Sequence, residues 1–517
     1  MHPGLFRLAT SHLTYNRTAS NCFLEPTPRT TSIARVPRST FTNWCYPKKM
    51  SPRLREAGDI CAIYVHAGAG FHSYQNENVH LKACNDAAKV AMSMLKNGAS
   101  ALDAVEIALR LMEDREITNA GYGSNLTMEG NVECDATIVD HLGRSGAVGA
   151  CSHVRNPISA ARVILNAQDK QLSLQRVPPN FLVSKGATEF AYLHGLPIVE
   201  NDFLVSPTAK ARWLRWQQEV EAAGQEQEAR NTVQTTGEIV HMETATSTAS
   251  FSTTVNPAML MTPPSDLHGI TTLKEQDTNV VLPEPTLVPA DGAHHINERV
   301  AIRPKQTDDA TSGGEQSNDN VDTITDTIGA IAVDSYGRIA AGSSSGGIGM
   351  KHSGRVGPAA LVGIGTAVIP EDPQDPEQTS VATVTSGTGE HIATTLAAST
   401  CASRIYYSDR KDESGMTENV TEEEAIKSMV DVDFMGHPSV KHSHCEAAIG
   451  IMAVKKTMDG VYLFFCHNTD SFALASMTSE DKAPHCVMSR RSRQGSTAQG
   501  GRFSRYRRSK SRSSSDD

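Results

Sequence analysis

The stretch "TITDTIGAI", Thr323 to Ile331, decides how the chain is read. A polar tract ends at Asp326, and an apolar strand begins at once with Thr327-Ile328-Gly329. Upstream, residues from about 220 to 322 are rich in Thr, Ser, Glu, Asp, Pro and Gly and carry no sustained period of 2 or 3.6. So long an aperiodic run does not belong inside a compact domain, and it reads as a disordered insert over 217–326. Order returns at Thr327. The spacing predicts a hairpin with strands Ile328–Val333 and Arg338–Ala341 and a turn at Tyr336-Gly337.

Working outward, residues 58–216 form a first ordered half. "ICAIYVHAGAGF" reads as a buried strand, Ile60 to His66, running into a glycine turn. A helix follows that Gly98 ends, then a second helix opened by the capping pair Ser100 and Asp103. "TNAGYGSNLTMEGNVECDATIVD" reads as a hairpin with strands Ser124–Met128 and Val132–Val139. "NPISAARVILNA" is a helix with Pro157 in its first turn. The second ordered half, 327–480, adds strands in "PAALVGIGTAVI" and "TSVATVTSG" and a helix in "GEHIATTLAASTCASRIYY". A further hairpin turns at Asp459-Gly460, and "FALASMTS" is read as a last strand. Neither half makes a layered domain alone, so the two are expected to share one core.

Composition limits the function classes. Hydrophobic content is 39% and aromatic content 5%, low for a fully folded chain of 517 residues. Net charge is −10 although the stretch from Arg490 is strongly basic. There is no apolar run long enough for a membrane helix and no secretory h-region. The ten cysteines have irregular spacing and no C-x-x-C pair, which suits reduced intracellular thiols. Residues 1–57 are an extension rich in Ser, Thr, Arg and Pro. Glu25 is the only acid in the first fifty, as in an organelle transit peptide or a plain disordered leader before Met50. Residues 481–517 read as a basic disordered tail, either simply solvated or serving nuclear import or nucleic-acid contact.

Several motifs fail on chemistry. "GSSSGGIGMK" has Ile348 where a phosphate loop needs Lys, and "HAGAGF" lacks the third glycine of a dinucleotide fingerprint. "GHPSVKHSHC" gathers His437, His442, His444 and Cys445, but no second cluster completes a zinc set, and a polar loop explains it. No cofactor or metal is called for. What remains is Asp326-Thr327. A Thr that becomes N-terminal carries nucleophile and base in one residue, because its α-amine, with a pKa near ~7.7–8.0, can take the hydroxyl proton. The neighbouring Gly- and Ser-rich loops offer donors for an oxyanion.

"HAGAG", "TNAGYGSNLTMEGNVECDATIVD", "GAVGA…NPISAARVIL", "DTIGAIAVD", "AAGSSSGG", "KHSGRVG" and "TSGTGEH" resemble, in the same order, the type-2 asparaginases, which are N-terminal-nucleophile hydrolases. Within them the chain is most similar to the threonine aspartase branch. It has Asp326 before the nucleophile, Ser345 before Gly346-Gly347, His391 after "SGTGE", the segment "CHNTDSFALASMTSEDK" and the long insert.

The resemblance implies an α/β, four-layer α-β-β-α sandwich made as a precursor that cuts itself between Asp326 and Thr327. The two products are expected to stay together as an α–β unit that pairs further. It assigns Thr327 as nucleophile, Ser345 as the assisting hydroxyl, Ser386 and Gly387 as the oxyanion pair and Asn119 as the loop residue near the cut. It assigns Arg355 as the receptor of a substrate carboxylate, with Gly68 and Gly389 in the substrate-binding loops. Asparaginases place an Asp after "GRVG" to pair with a free substrate ammonium, and here Pro358 stands there. An ammonium at that point would be left unpaired, which favours a polypeptide cut after an internal Asp over a free amino acid.

The expected function is thus a self-processing threonine endopeptidase acting on proteins, nuclear transcription regulators among them by analogy, in the nucleus or cytoplasm. An asparaginase or isoaspartyl peptidase is the alternative within the family. A non-catalytic interaction protein is the alternative outside it.

Overall fold

The computed structural model describes residues 60–244, 326–412, 414–493 and 495–506, with side chains in the helix that ends at Thr244 described as far as Arg230. The expectations for the N-terminal extension and for most of the insert lie outside these residues.

The chain begins with β1 (Ala62–Gly70), α1 (Glu77–Lys96) and α2 (Ala101–Glu113). Strands β2 (Cys134–Val139) and β3 (Ser145–Cys151) follow, then α3 (Pro157–Ala167), β4 (Phe181–Val183), α4 (Ser184–Leu193) and the long α5 (Pro207–Thr244). The later half supplies β5 (Ile328–Val333), β6 (Ile339–Ser345), β7 (Thr366–Ile369) and β8 (Ser380–Gly387). Next come α6 (Gly389–Thr394), α7 (Ala397–Tyr407), the short pair β9 (Asp409–Lys411) and β10 (Thr417–Asn419), α8 (Glu422–Ser428) and α9 (Pro438–Lys441). The last strands are β11 (Ile449–Lys456), β12 (Gly460–His467), β13 (Ser471–Thr478), β14 (His485–Arg490) and β15 (Ala498–Arg505).

Two sheets stack face to face. One runs β14-β13-β1-β5-β6-β2-β3-β4, the other β15-β12-β11-β8-β7. Strand residues alternate between faces, and here both faces are covered. In β5, Ile328, Ala330 and Ala332 point to the core under α1–α3, while Ile331 and Val333 point to the core between the sheets. In β11, Met452 and Val454 meet them there, and Ile449, Ile451 and Ala453 pack under α7 and α8. Three cores separate four layers, which is the α-β-β-α sandwich. β1, from before the insert, lies between β5 and β13, from after it. The two halves therefore share one core.

Four sequence expectations need correction. The predicted strand Ser124–Met128 is a loop with a single bridge, Leu126 to Val132, because Thr127 and Met128 pair with Lys351 instead. "PAALVGIGTAVI" is extended only from Thr366. Gly363 (φ +81°) turns the chain, and Gly365 packs too closely on Pro358 to carry a side chain. The helix from Gly389 breaks at Leu396 (φ 50°), and α7 starts anew as the amides of Ala398 and Ser399 bind the carbonyls of Ile364 and Gly363.

The fourth correction concerns the insert and the tail. The insert opens with helix as far as Thr244, and the tail contains β14 and β15. β15 pairs with β12 along its whole length, and Gly500 gives room to the Phe465 ring. Arg502 reaches Asp481 at 2.7 Å. Among the described residues no helix is long and apolar enough to cross a membrane. None of the eight described cysteines is in a disulfide.

Glu113, at the end of α2, is fully buried behind β6. Its Oε1 accepts from the Ile158 amide (2.9 Å) and the Ser344 hydroxyl (2.7 Å), and its Oε2 has no partner. Burial pushes its pKa up to about 8 against the pull of the Ser344 hydroxyl. A group whose folded pKa is raised contributes stability fully present below its unfolded value and lost as pH rises through the folded one. Stability is therefore expected to fall between about pH 4.5 and pH 8, by an amount on the order of a few kcal/mol. Glu113→Gln should flatten that window in denaturant titrations. An unchanged slope would rule Glu113 out as its source.

Candidate active site

Thr327 stands just before β5, whose first pair joins Ile328 to Ser344 of β6. That register sets Thr327 beside Ser345 at the end of β6, and the Thr327 Oγ1 donates to the Ser345 Oγ at 3.2 Å. The Ser345 Oγ also accepts from the Gly347 amide at 3.0 Å, so two donors converge on it. Asn119 clamps the same turn. Its carbonyl accepts from the Gly346 amide (2.8 Å) and its Nδ2 donates to the Gly347 carbonyl (2.8 Å). Gly346 must be glycine here, since a Cβ would lie 2.5 Å from the Asn119 Oδ1.

Ser386 and Gly387 end β8 next to the other sheet. The Ser386 Oγ accepts from the Ala69 amide at 3.0 Å, tying the first glycine loop to β8. Gly387 has φ +136° and packs on the Ala448 carbonyl, so no side chain fits. Gly68 (φ +108°) and Gly70 receive the Asp326 side chain, which a Cβ at either glycine would displace. The Asp326 Oδ2 is buried without a partner, and burial pushes its pKa up to about 7.

The Arg355 guanidinium lies among Gly347, Gly357 and Gly389, and pairs with Glu390 at 2.8 Å. All these candidate residues except Gly68 and Ser386 line one cavity of about 840 Å³, which Pro358 also lines. Its far walls include Trp216 and Val220 of α5, and Asp470 with Arg491. The space exceeds what one amino acid fills and has the size of an extended ligand site.

Sequence reasoning missed a buried charge system under this floor. Asp135 of β2 faces Ser345 across the sheet and accepts from the amides of Ala150 (2.9 Å) and Gly357 (2.7 Å). Lys351, also buried, donates to the Gly346 carbonyl at 2.6 Å and to the Glu133 carbonyl. Burial raises the Asp135 pKa and lowers that of Lys351, while the charge of each opposes the shift in the other. Asp135, alone among the residues of "CDATIV" in carrying a charge, was the available signal. His66 is buried beside Gly329 with neither ring nitrogen paired, and burial lowers its pKa to about 3, so it is neutral at pH 7. His437 and His442 sit at the two ends of α9, where their Nδ1 atoms meet the Ser439 hydroxyl (2.9 Å) and the Pro438 carbonyl (2.7 Å).

Comparison with known proteins bears on the family. The sequence profile of the type-2 asparaginase family, described as "Asparaginase", matches residues 60–254 and 273–460. The isoaspartyl peptidase/L-asparaginase of Xenopus laevis is 37% identical over 154 residues, 30% of this chain and 47% of the frog protein. The putative isoaspartyl peptidase/L-asparaginase of Dictyostelium discoideum is 28% identical over 351 residues, 67% of this chain and 79% of its own length. The plant-type L-asparaginase of Pyrococcus furiosus is 37% identical over 186 residues, 35% of this chain and 52% of the relative. In the frog and archaeal cases the chain thus spans about half of the relative's length. With the profile covering most of the chain, and its matched segments carrying Asn119, Thr327, Ser345 and Arg355 of the cavity, the chain belongs to the type-2 asparaginase family.

Proposed function

We propose that this chain is a self-processing threonine hydrolase that cuts between Asp326 and Thr327 and then cleaves polypeptides after Asp. The observation that carries it is the Thr327–Ser345 hydroxyl contact at the junction of the insert and β5, inside the cavity. In the uncut chain the Thr327 nitrogen is an amide. Its Oγ1 attacks the Asp326 carbonyl carbon, the C–N bond breaks, and an ester replaces it with the amine released. Water hydrolyses the ester and leaves Asp326 as a new carboxyl terminus. The freed amine is then the base that activates the same hydroxyl for an incoming substrate. The Ser386–Gly387 corner stabilises the oxyanion, and Arg355 holds the substrate carboxylate by its planar fork. The α and β products are expected to remain one unit, since β1 lies between β5 and β13. Protein substrates among nuclear transcription regulators, and pairing of two such units, extend the same proposal.

A second reading has its own support: the relatives are named isoaspartyl peptidases and L-asparaginases. Pro358 separates the two, because the hydrocarbon ring of proline offers no side-chain acceptor for a substrate ammonium. Pro358→Asp is expected to raise turnover of L-asparagine and a β-aspartyl dipeptide by about tenfold or more, and to lower cleavage of an internal-Asp peptide. Strong wild-type turnover of free asparagine, with none of the peptide, would sink the endopeptidase reading. Wild-type protein that never cuts itself would favour the non-catalytic one.

A further inference from the structure

We infer that Glu390 is the positioning residue of the carboxylate receptor, gripping one edge of the Arg355 guanidinium from outside the cavity so that the other edge faces substrate. The inference rests on the reading of Arg355 as that receptor.

A guanidinium offers a carboxylate two edges, Nε with Nη2 and Nη1 with Nη2. The Glu390 Oε1 occupies the first, accepting from Nε at 3.1 Å and from Nη2 at 2.8 Å. Nη1 has no hydrogen-bond partner among the described residues. The slot that holds it is built of glycine. A Cβ at Gly347 or Gly357 would stand 2.9 or 2.5 Å from Nη1, and one at Gly389 2.5 Å from Nη2. These three glycines and Arg355 line the cavity, and Glu390 does not. The Arg355 side chain is 15% exposed and that of Glu390 62%, so the glutamate approaches from the solvent side.

The consequence is pre-organisation. A free arginine side chain would lose rotamer freedom each time it bound substrate, and a held one has already lost it. Partial burial works against the Glu390 carboxylate, but its bond and charge contact with Arg355 win and hold it below the usual carboxylate range. It therefore stays ionised through neutral pH. On the far side, Asp135 fixes the Gly357 amide at 2.7 Å, so the slot and the fork are braced from opposite directions. An exposed pair of this kind adds little to global stability. Its effect is expected in substrate binding instead.

The test compares wild type, Glu390→Ala, Glu390→Gln and Arg355→Ala as processed enzymes. The substrates are an internal-Asp peptide and its Asn counterpart. Glu390→Ala should raise KM for the Asp peptide about tenfold with kcat within about twofold, and with Tm and the extent of self-cleavage unchanged. Glu390→Gln keeps an oxygen that accepts both N–H groups and should stay within about threefold of wild type. A lowered KM in Glu390→Ala would make the glutamate a competitor of substrate and overturn the inference. So would an unchanged KM, or a parallel loss of Tm and kcat. If Arg355→Ala also leaves KM for the Asp peptide untouched, the receptor reading itself fails, and that outcome is separate from any effect at Glu390.

Discussion

Thr327→Ala is expected to leave one uncut chain and to lower peptide hydrolysis by at least about 10⁴-fold. The residue sits at the seam of the insert and β5 and is itself the atom donor in both proposed reactions. Ser345 is not expected to take over, because its hydroxyl already accepts from the Gly347 amide and, unlike Thr327, it is not bonded to the Asp326 carbonyl and gains no α-amine. Thr327→Ser keeps the hydroxyl and should retain self-cleavage, at a reduced rate since the β-methyl no longer fixes the rotamer. The fold should survive the alanine change, because Ile328 to Val333 carry the buried contacts of β5. Retained hydrolysis in Thr327→Ala would remove the threonine mechanism altogether.

Arg355→Ala gives the second large effect. A charge-assisted, two-point contact contributes about 3 kcal/mol, so kcat/KM for an Asp substrate should fall about 100-fold. Its Asn counterpart should lose far less, and discrimination between the two should collapse. Self-cleavage is expected to proceed, because in the uncut chain the Asp326 side chain rests on Gly68 and Gly70 and not on Arg355. Equal losses on both peptides would mean that Arg355 shapes the cavity without reading charge.

The elements that could be read from sequence were those with a strong local period or a local cap. Helix α2 announced itself through Ser100 and Asp103, and both halves of that capping box are present. The β5–β6 hairpin was visible because its strands are apolar on both faces. β15 was not, since "AQGGRFSR" contains only Ala498 and Phe503 as apolar residues and gains its place from β12. The extension of α5 was hidden likewise: its sequence is polar at most positions, and among its described residues Trp216, Glu219, Val220 and Ala223 meet the cavity.

The site followed the same rule. Thr327 and Ser345 are brought together by the hairpin, a short-range event that the sequence registers. Glu390 meets Arg355 only because β7 and β8 return the chain, and the Asp135–Lys351 system forms only when β2 docks on β6. No local pattern records such contacts.

The most direct test of the central claim is the N-terminal sequence of the smaller fragment from freshly expressed wild-type protein, read alongside intact mass. The expected fragment begins Thr-Ile-Gly-Ala, cut after Asp326. A single full-length mass, or a fragment beginning anywhere else, would contradict it.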